Sequence, residues 1–107
     1  MIRKGSRLPR EEFRARGYLS RVTPCFSVKI KKNQSGRNRL GVVVGVAAIK
    51  SAVKRNFFRR QAKGLFVDIP DQNLDILIIA RPGCASLSRA ALRTALREAI
   101  VSLSSNL

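Results

Sequence analysis

The sequence predicts an α+β two-layer sandwich, a single small domain spanning residues 1–107. Three observations predict it. A chain of 107 residues has room for one small domain. A hydrophobic fraction of 45% is too high for a disordered polycation, so a folded core is required. Strand-like and helix-like patterns follow one another as helix–strand–strand–strand–helix–strand–helix, with hairpin strands segregated from helices that cover one face.

The elements follow in order. Residues 1–8 are expected to be flexible. Pro9 suits a helix start, and Glu11 and Glu12 suit a first turn beside the positive end of the helix dipole. A short helix is expected from Pro9 to Arg16, ended by Gly17, and then a short strand over 18–23. From Cys25 to Lys32, Phe26, Val28 and Ile30 alternate with Ser27, Lys29 and Lys31, which marks a half-buried strand with a basic outer face. A polar loop over residues 32–38 leads to the Val-rich run Arg39–Ile49. That run is expected as a central strand paired antiparallel across the loop, with Gly41 and Gly45 marking a bulge or a close approach. Ser51 is the expected N-cap of a helix to about Phe66. Asp68, Pro70 and Asp71 form a turn region, and Leu74 to Ala80 is a second buried strand. Ser86 or Ser88 caps a last helix to about Leu103, whose core stripe is Leu92, Leu96, Ala99, Ile100 and Leu103.

Charge narrows the function. There are 22 Lys plus Arg against 6 Asp plus Glu, a formal net charge of +16. No Asp or Glu occurs from Phe13 to Val67, so few of the cations in that stretch can be offset internally. Solubility needs far less charge and mixed signs. A polyanion is the better partner, and nucleic acid the commonest one. A membrane surface would need an amphipathic helix with its bulky apolar face left free, and here the core needs those residues. The longest apolar run, Leu40–Ile49, is strand-sized. Basic residues at the N-terminus have no apolar stretch behind them, so no signal peptide is expected, and the protein is placed in the cytoplasm. The sequence has no His, and Cys25 and Cys84 are isolated. That excludes His-based catalysis and a Cys/His zinc site, and it makes both cysteines reduced, buried and inert.

The helix after Ser51 carries the chemistry. Projected at about 100° per residue, Val53, Gly64, Phe57, Leu65, Phe58 and Ala62 fall on one arc. Arg55, Arg59, Lys63, Asn56 and Arg60 fall on the other. Arg55, Arg59 and Lys63 stack at four-residue intervals, a spacing that is unfavourable until phosphates neutralise it. Guanidinium groups pair with phosphate oxygens through two hydrogen bonds. Asn56 can order a base edge, a ribose hydroxyl or a metal-bound water. Arg89, Arg93 and Arg97 form a further stripe, either a second RNA contact or, somewhat better, a solvated face. The bland reading of Phe57 and Phe58 is ordinary core, and it is the stronger one.

Lys54-Arg55-Asn56-Phe57-Phe58-Arg59-Arg60, preceded by Ala52-Val53, resembles the Arg-Asn-Arg signature helix of the bacterial ribonuclease P protein subunit family. Arg7-Leu8 with Phe13 resembles that family's first helix. Arg39–Val44 resembles its central strand, and Asp75–Arg81 its last. Phe57 stands where the family has its second signature Arg, and Val46-Ala47-Ala48 stands where it has Ser/Thr-Lys-Lys. The RNA contacts of those positions are missing in this chain or fall to Lys50 and Lys54.

The resemblance implies a mixed sheet with a left-handed crossover. It also implies an RNA subunit that carries catalysis with Mg²⁺ bound through the RNA and matures the 5′ end of precursor tRNA. The protein would then bind the catalytic RNA through Lys50, Lys54, Arg55, Asn56, Arg59, Arg60 and Lys63, with Arg7 and Arg39. It would hold the 5′ leader against Phe13 and Phe26 beside Lys29 and Lys31, with no catalytic or metal-binding residue of its own and as a monomer. Phe26 suits the core equally well, since it alternates with Val28 and Ile30. Lys29 and Lys31 fall on the opposite side of that strand. The alternatives are a small basic ribosomal protein and a major-groove DNA reader. The second lacks a helix-turn-helix, because a strand precedes the basic helix.

Overall fold

A computed structural model describes residues 7–70, 72–83 and 88–107. A 3₁₀ segment, Arg10–Arg14, opens the described chain. It is followed by β1 (Leu19–Val22), β2 (Phe26–Lys32), β3 (Arg39–Val43), α1 (Ala52–Val67), β4 (Leu74–Ala80) and α2 (Arg89–Ser104). This is the expected element order. The first helix is tighter and shorter than expected, with Pro9 at its N-cap position and Gly17 at φ 95° beyond it.

The sheet runs β1-β2-β4-β3. β2 pairs antiparallel with β1 and β4, and β3 pairs parallel with β4. The expected antiparallel pairing of β2 with β3 is therefore corrected: β4 lies between them. Burial explains it. Five successive residues of β4, Leu74 to Ile78, are buried, so this strand takes a central position, paired along both edges. β3 is an edge strand and stops at Val43 rather than running to Ile49. The chain then turns, and Gly45 O accepts from Ala48 N and Ile49 N.

The loop that steps over β4 is fastened to it. Asn33 N donates to Asn73 O at 2.7 Å. Asn38 Oδ1 accepts from Gln72 N and Leu74 N, and its Nδ2 donates to Pro70 O. The end of β4 is tied to the start of β2 by Arg81 N donating to Cys25 O at 2.8 Å. Gly83 N donates to Pro24 O beside it. Cys25 is buried as expected but is disulfide-bonded rather than reduced, because these contacts draw the chain after β4 onto residues 24 and 25. Cys84, Ser86 and Asp71 lie outside the described residues.

One face of the sheet carries both helices. Phe26, Val28, Ile30, Leu40, Ile76 and Ile78 meet Phe58, Ala62, Leu65 and Phe66 of α1 and the expected stripe of α2. Ser51 Oγ accepts from Lys54 N and caps α1, and Ser88 Oγ accepts from Ala91 N and caps α2. Two details of α1 differ from the projection. Val53, in the first turn, is 74% exposed, beyond reach of the core, and Gln61 is buried.

The other face is open, and residues 7–18 lie on it. Leu8 N donates to Leu40 O at 3.0 Å, and Leu8 is buried, so residues 7 and 8 are fixed along the outer edge of β3 rather than flexible. Residues 1–6 lie outside the described residues. Gly41 is required here: a Cβ would come within 2.6 Å of the Phe13 ring.

Asp75 is fully buried on this face. Arg39 grips it through Nε to Oδ1 at 2.7 Å and Nη2 to Oδ2 at 2.8 Å, and Asn33 Nδ2 adds a bond at 2.8 Å. The bond to Asp75 raises the Arg39 guanidinium above its already high value, against the opposing effect of burial. Removing one partner of a buried pair strands the other charge. Asp75→Ala is expected to destabilise the fold by about 3 kcal/mol, measured by urea unfolding, while an unchanged midpoint would contradict this role.

Candidate nucleic-acid interface

The cations of α1 are outward and unneutralised. Lys54, Asn56, Arg60 and Lys63 are exposed, and Arg55 and Arg59 are half-buried along the flank. Among the described residues the ion pairs are Lys31–Glu12 and Arg39–Asp75, and neither involves α1. Arg55 also braces the turn that enters α1, since its Nη1 donates to Ile49 O at 3.0 Å and to Lys50 O at 2.8 Å. Its other N–H groups remain for a ligand. Lys50 is exposed at that same turn.

A groove of about 580 Å³ runs along the outer edge of β3. Arg59 and Lys63 form one bank, and Arg7 and Arg10 form the other. Phe13 and residues Leu40 to Val44, in and just after β3, line its floor. The fold therefore brings together three expected RNA-binding residues, Arg7, Arg59 and Lys63, with one expected leader residue, Phe13. Arg10 was missed by sequence reasoning. Its signal was its place three residues before Phe13, on the same side of a helical turn.

The N-terminal bank is held by a clasp on the open face. Glu12 Oε2 pairs with Lys31 Nζ at 2.8 Å. The Tyr18 hydroxyl donates to Glu12 O at 2.8 Å, and Lys31 Nζ sits 5.2 Å from the Tyr18 ring centroid. Burial pushes the Tyr18 phenol up to about 12, helped by the carboxylates of Asp75 and Glu12 and opposed by Arg39.

A family model for ribonuclease P matches residues 7–104. The chain belongs to the ribonuclease P protein family. It is 35% identical over 72 residues to the ribonuclease P protein component of Vibrio vulnificus, covering 65% of this chain and 61% of that protein. It is 40% identical over 67 residues to the corresponding protein of Saccharophagus degradans, covering 59% and 48%. The chain spans about three fifths of the length of the first curated relatives it matches. Its fold is that of ribonuclease P proteins. A Staphylococcus aureus RNase P protein mutant superposes with a TM-score of 0.77 at 21% identity, covering 92% of this chain and 88% of that one. The Thermotoga maritima protein superposes with a TM-score of 0.60 at 25% identity, covering 84% of each.

Several expected site residues play other roles in this ribonuclease P protein. Arg39 is committed to Asp75 and Lys31 to Glu12. Phe26 is 1% exposed and faces the helices, so it belongs to the core and not to the groove beside Phe13. Lys29 points to the open face with Leu77 and is half-buried. Phe57, at the second signature position, is half-buried at the margin of the core. Val46–Ala48, in place of the basic segment, forms the turn before α1.

The clasp has a direct optical test, because Tyr18 is the single tyrosine. Unfolded tyrosine ionises at about 10, so the folded state keeps its proton longer. The stabilisation is complete below that pH and is lost as pH rises towards 12. Absorbance titration is expected to give a midpoint near 12 in the folded protein and near the ordinary value in denaturant. Coincident midpoints would contradict the clasp.

Proposed function

We propose that this chain is the RNA-binding component of a ribonuclease P ribonucleoprotein, an endoribonuclease that matures the 5′ end of precursor tRNA. The single observation that carries the proposal is the strip Arg55–Lys63, cationic, outward-facing and without a carboxylate partner among the described residues. Its helix is anchored by its apolar side, so the charged side is free to grip a folded RNA. Guanidinium and ammonium groups there bind backbone phosphates, release counterions and hold the catalytic RNA in place. Family membership favours this partner over the rRNA of a ribosomal protein or a DNA major groove.

The single-stranded 5′ leader of the precursor is assigned to the groove beside Phe13. An aromatic platform between banks of cations suits single-stranded RNA, because any base has a face to stack. Lys29 extends the positive surface across the open face.

Catalytic groups are assigned to the RNA. The chain has no His. Glu12 and Asp75 are engaged in ion pairs. Among the described residues no group of three or more acids, Cys or His could hold a metal ion. The reading leaves Mg²⁺ to RNA phosphates, and no step is routed through it. What the protein supplies is positioning and charge neutralisation. The reading places it in the cytoplasm as a monomer until it meets RNA. No helix of the described residues is long and apolar enough to cross a membrane. The exposed large apolar residues are spread over β1, the turn after β3, α1, α2 and the C-terminus.

Reconstitution tests the reading. The protein alone is expected to cleave nothing, and adding it to cognate catalytic RNA is expected to lower the Mg²⁺ needed to cleave precursor tRNA. No such effect would overturn it. Arg59→Ala with Arg60→Ala is expected to flatten the log–log salt dependence of RNA binding by about one unit per lost phosphate contact. An unchanged slope would remove the strip as the contact.

A further inference from the structure

A second cationic surface lies on α2, outside the groove and the signature strip. Arg89, Arg93 and Arg97 flank the buried stripe of that helix. Arg89 and Arg97 are exposed, and Arg93 is half-buried where α2 meets α1.

Arg93 is seated there by two features of α1. Its Nε donates to Gln61 Oε1 at 2.8 Å, and Gln61 is only 6% exposed within an otherwise apolar face. Its Nη2 packs over Gly64, where a Cβ would displace the guanidinium end from its present place. Gly64 thus leaves a notch that the Arg93 guanidinium occupies. Glycine inside a helix costs about 1 kcal/mol relative to alanine. Fixing a long side chain costs rotamer entropy besides.

Among the described residues no acid offsets this. Neither ion pair among the described residues involves an arginine of α2, and Glu98, the acid on that helix, pairs with none of them. Instead Arg60 stands one helical turn before Gly64, exposed on the neighbouring flank of α1. A guanidinium held in place with outward donors and cationic neighbours is preorganised for a phosphate.

We propose that Arg89, Arg93 and Arg97, with Arg93 seated in the Gly64 notch, form a second phosphate-binding surface that extends the catalytic-RNA contact from α1 across α2. This rests on the reading that the α1 strip binds that RNA. The leader is not its occupant: α2 packs on β1 and β2 from the helix-bearing side, whereas Phe13 lies on the opposite face beside Gly41.

The test is a salt titration of binding to the catalytic RNA alone, using Arg89→Ala with Arg97→Ala. Both side chains are exposed and make no hydrogen bond among the described residues, so the variant keeps its fold. The expected result is a log–log slope shallower by about two units, one for each lost contact. The Arg59→Ala, Arg60→Ala variant is measured in parallel. A slope changed by the α1 pair but not by the α2 pair overturns this proposal and leaves the α1 reading standing. Slopes unchanged in both overturn both. If the α2 variant instead loses the preference for precursor over mature tRNA, the stripe touches the leader and the proposal is likewise overturned.

Discussion

Positive charge that the fold does not neutralise along α1 is the constraint on which the rest of this structure depends. Like charges at four-residue spacing cost an isolated helix about 0.2–0.5 kcal/mol per pair. The opposite face of the helix more than offsets this. Burying a side chain such as Phe58, Leu65 or Phe66 contributes about 1.5–3 kcal/mol each. The core thus holds in place a charge distribution that the helix would not favour by itself. A phosphate-bearing partner turns the repulsion into attraction.

Acid is scarce in this chain and is placed where it fastens. Six acids face 22 bases, and two of the six join distant segments. Asp75 joins β4 to β3 and to the loop that steps over it. Glu12 joins the 3₁₀ segment to β2. Both fasteners act on the open face, away from the α1 strip. The Glu12 pair holds the 3₁₀ segment on the sheet, while the Leu8–Leu40 bond sets residues 7 and 8 along the β3 edge, where Arg59 and Lys63 approach from the helix. No acid is among the residues that line the groove.

Much of this was legible in the sequence. The element order, both serine caps, the α2 stripe and the span of β4 all follow from local periodicity and capping chemistry. The order of strands did not follow, because pairing is decided by which strand most needs cover, and that is a comparison across the whole sheet. The roles of Arg39 and Lys31 were hidden for a related reason. Their acidic partners lie 36 and 19 residues away in sequence, and only the folded register brings them together. Phe26 could be read either way until the helices were seen to occupy its face. Gln61 and Gly64 carried no signal of their own, since their meaning comes from an arginine on another helix.

The most direct measurement is thermal melting of the Arg59→Gln, Arg60→Gln, Lys63→Gln variant beside the parent protein, in chloride and in inorganic phosphate at equal ionic strength. Anions that bind the folded state raise its stability by linkage. The account predicts that phosphate raises the melting temperature of the parent more than that of the variant, and that in chloride the variant melts no lower than the parent. A variant that melts well below the parent in chloride, or that gains as much from phosphate, would show that these cations serve the fold and would contradict the account.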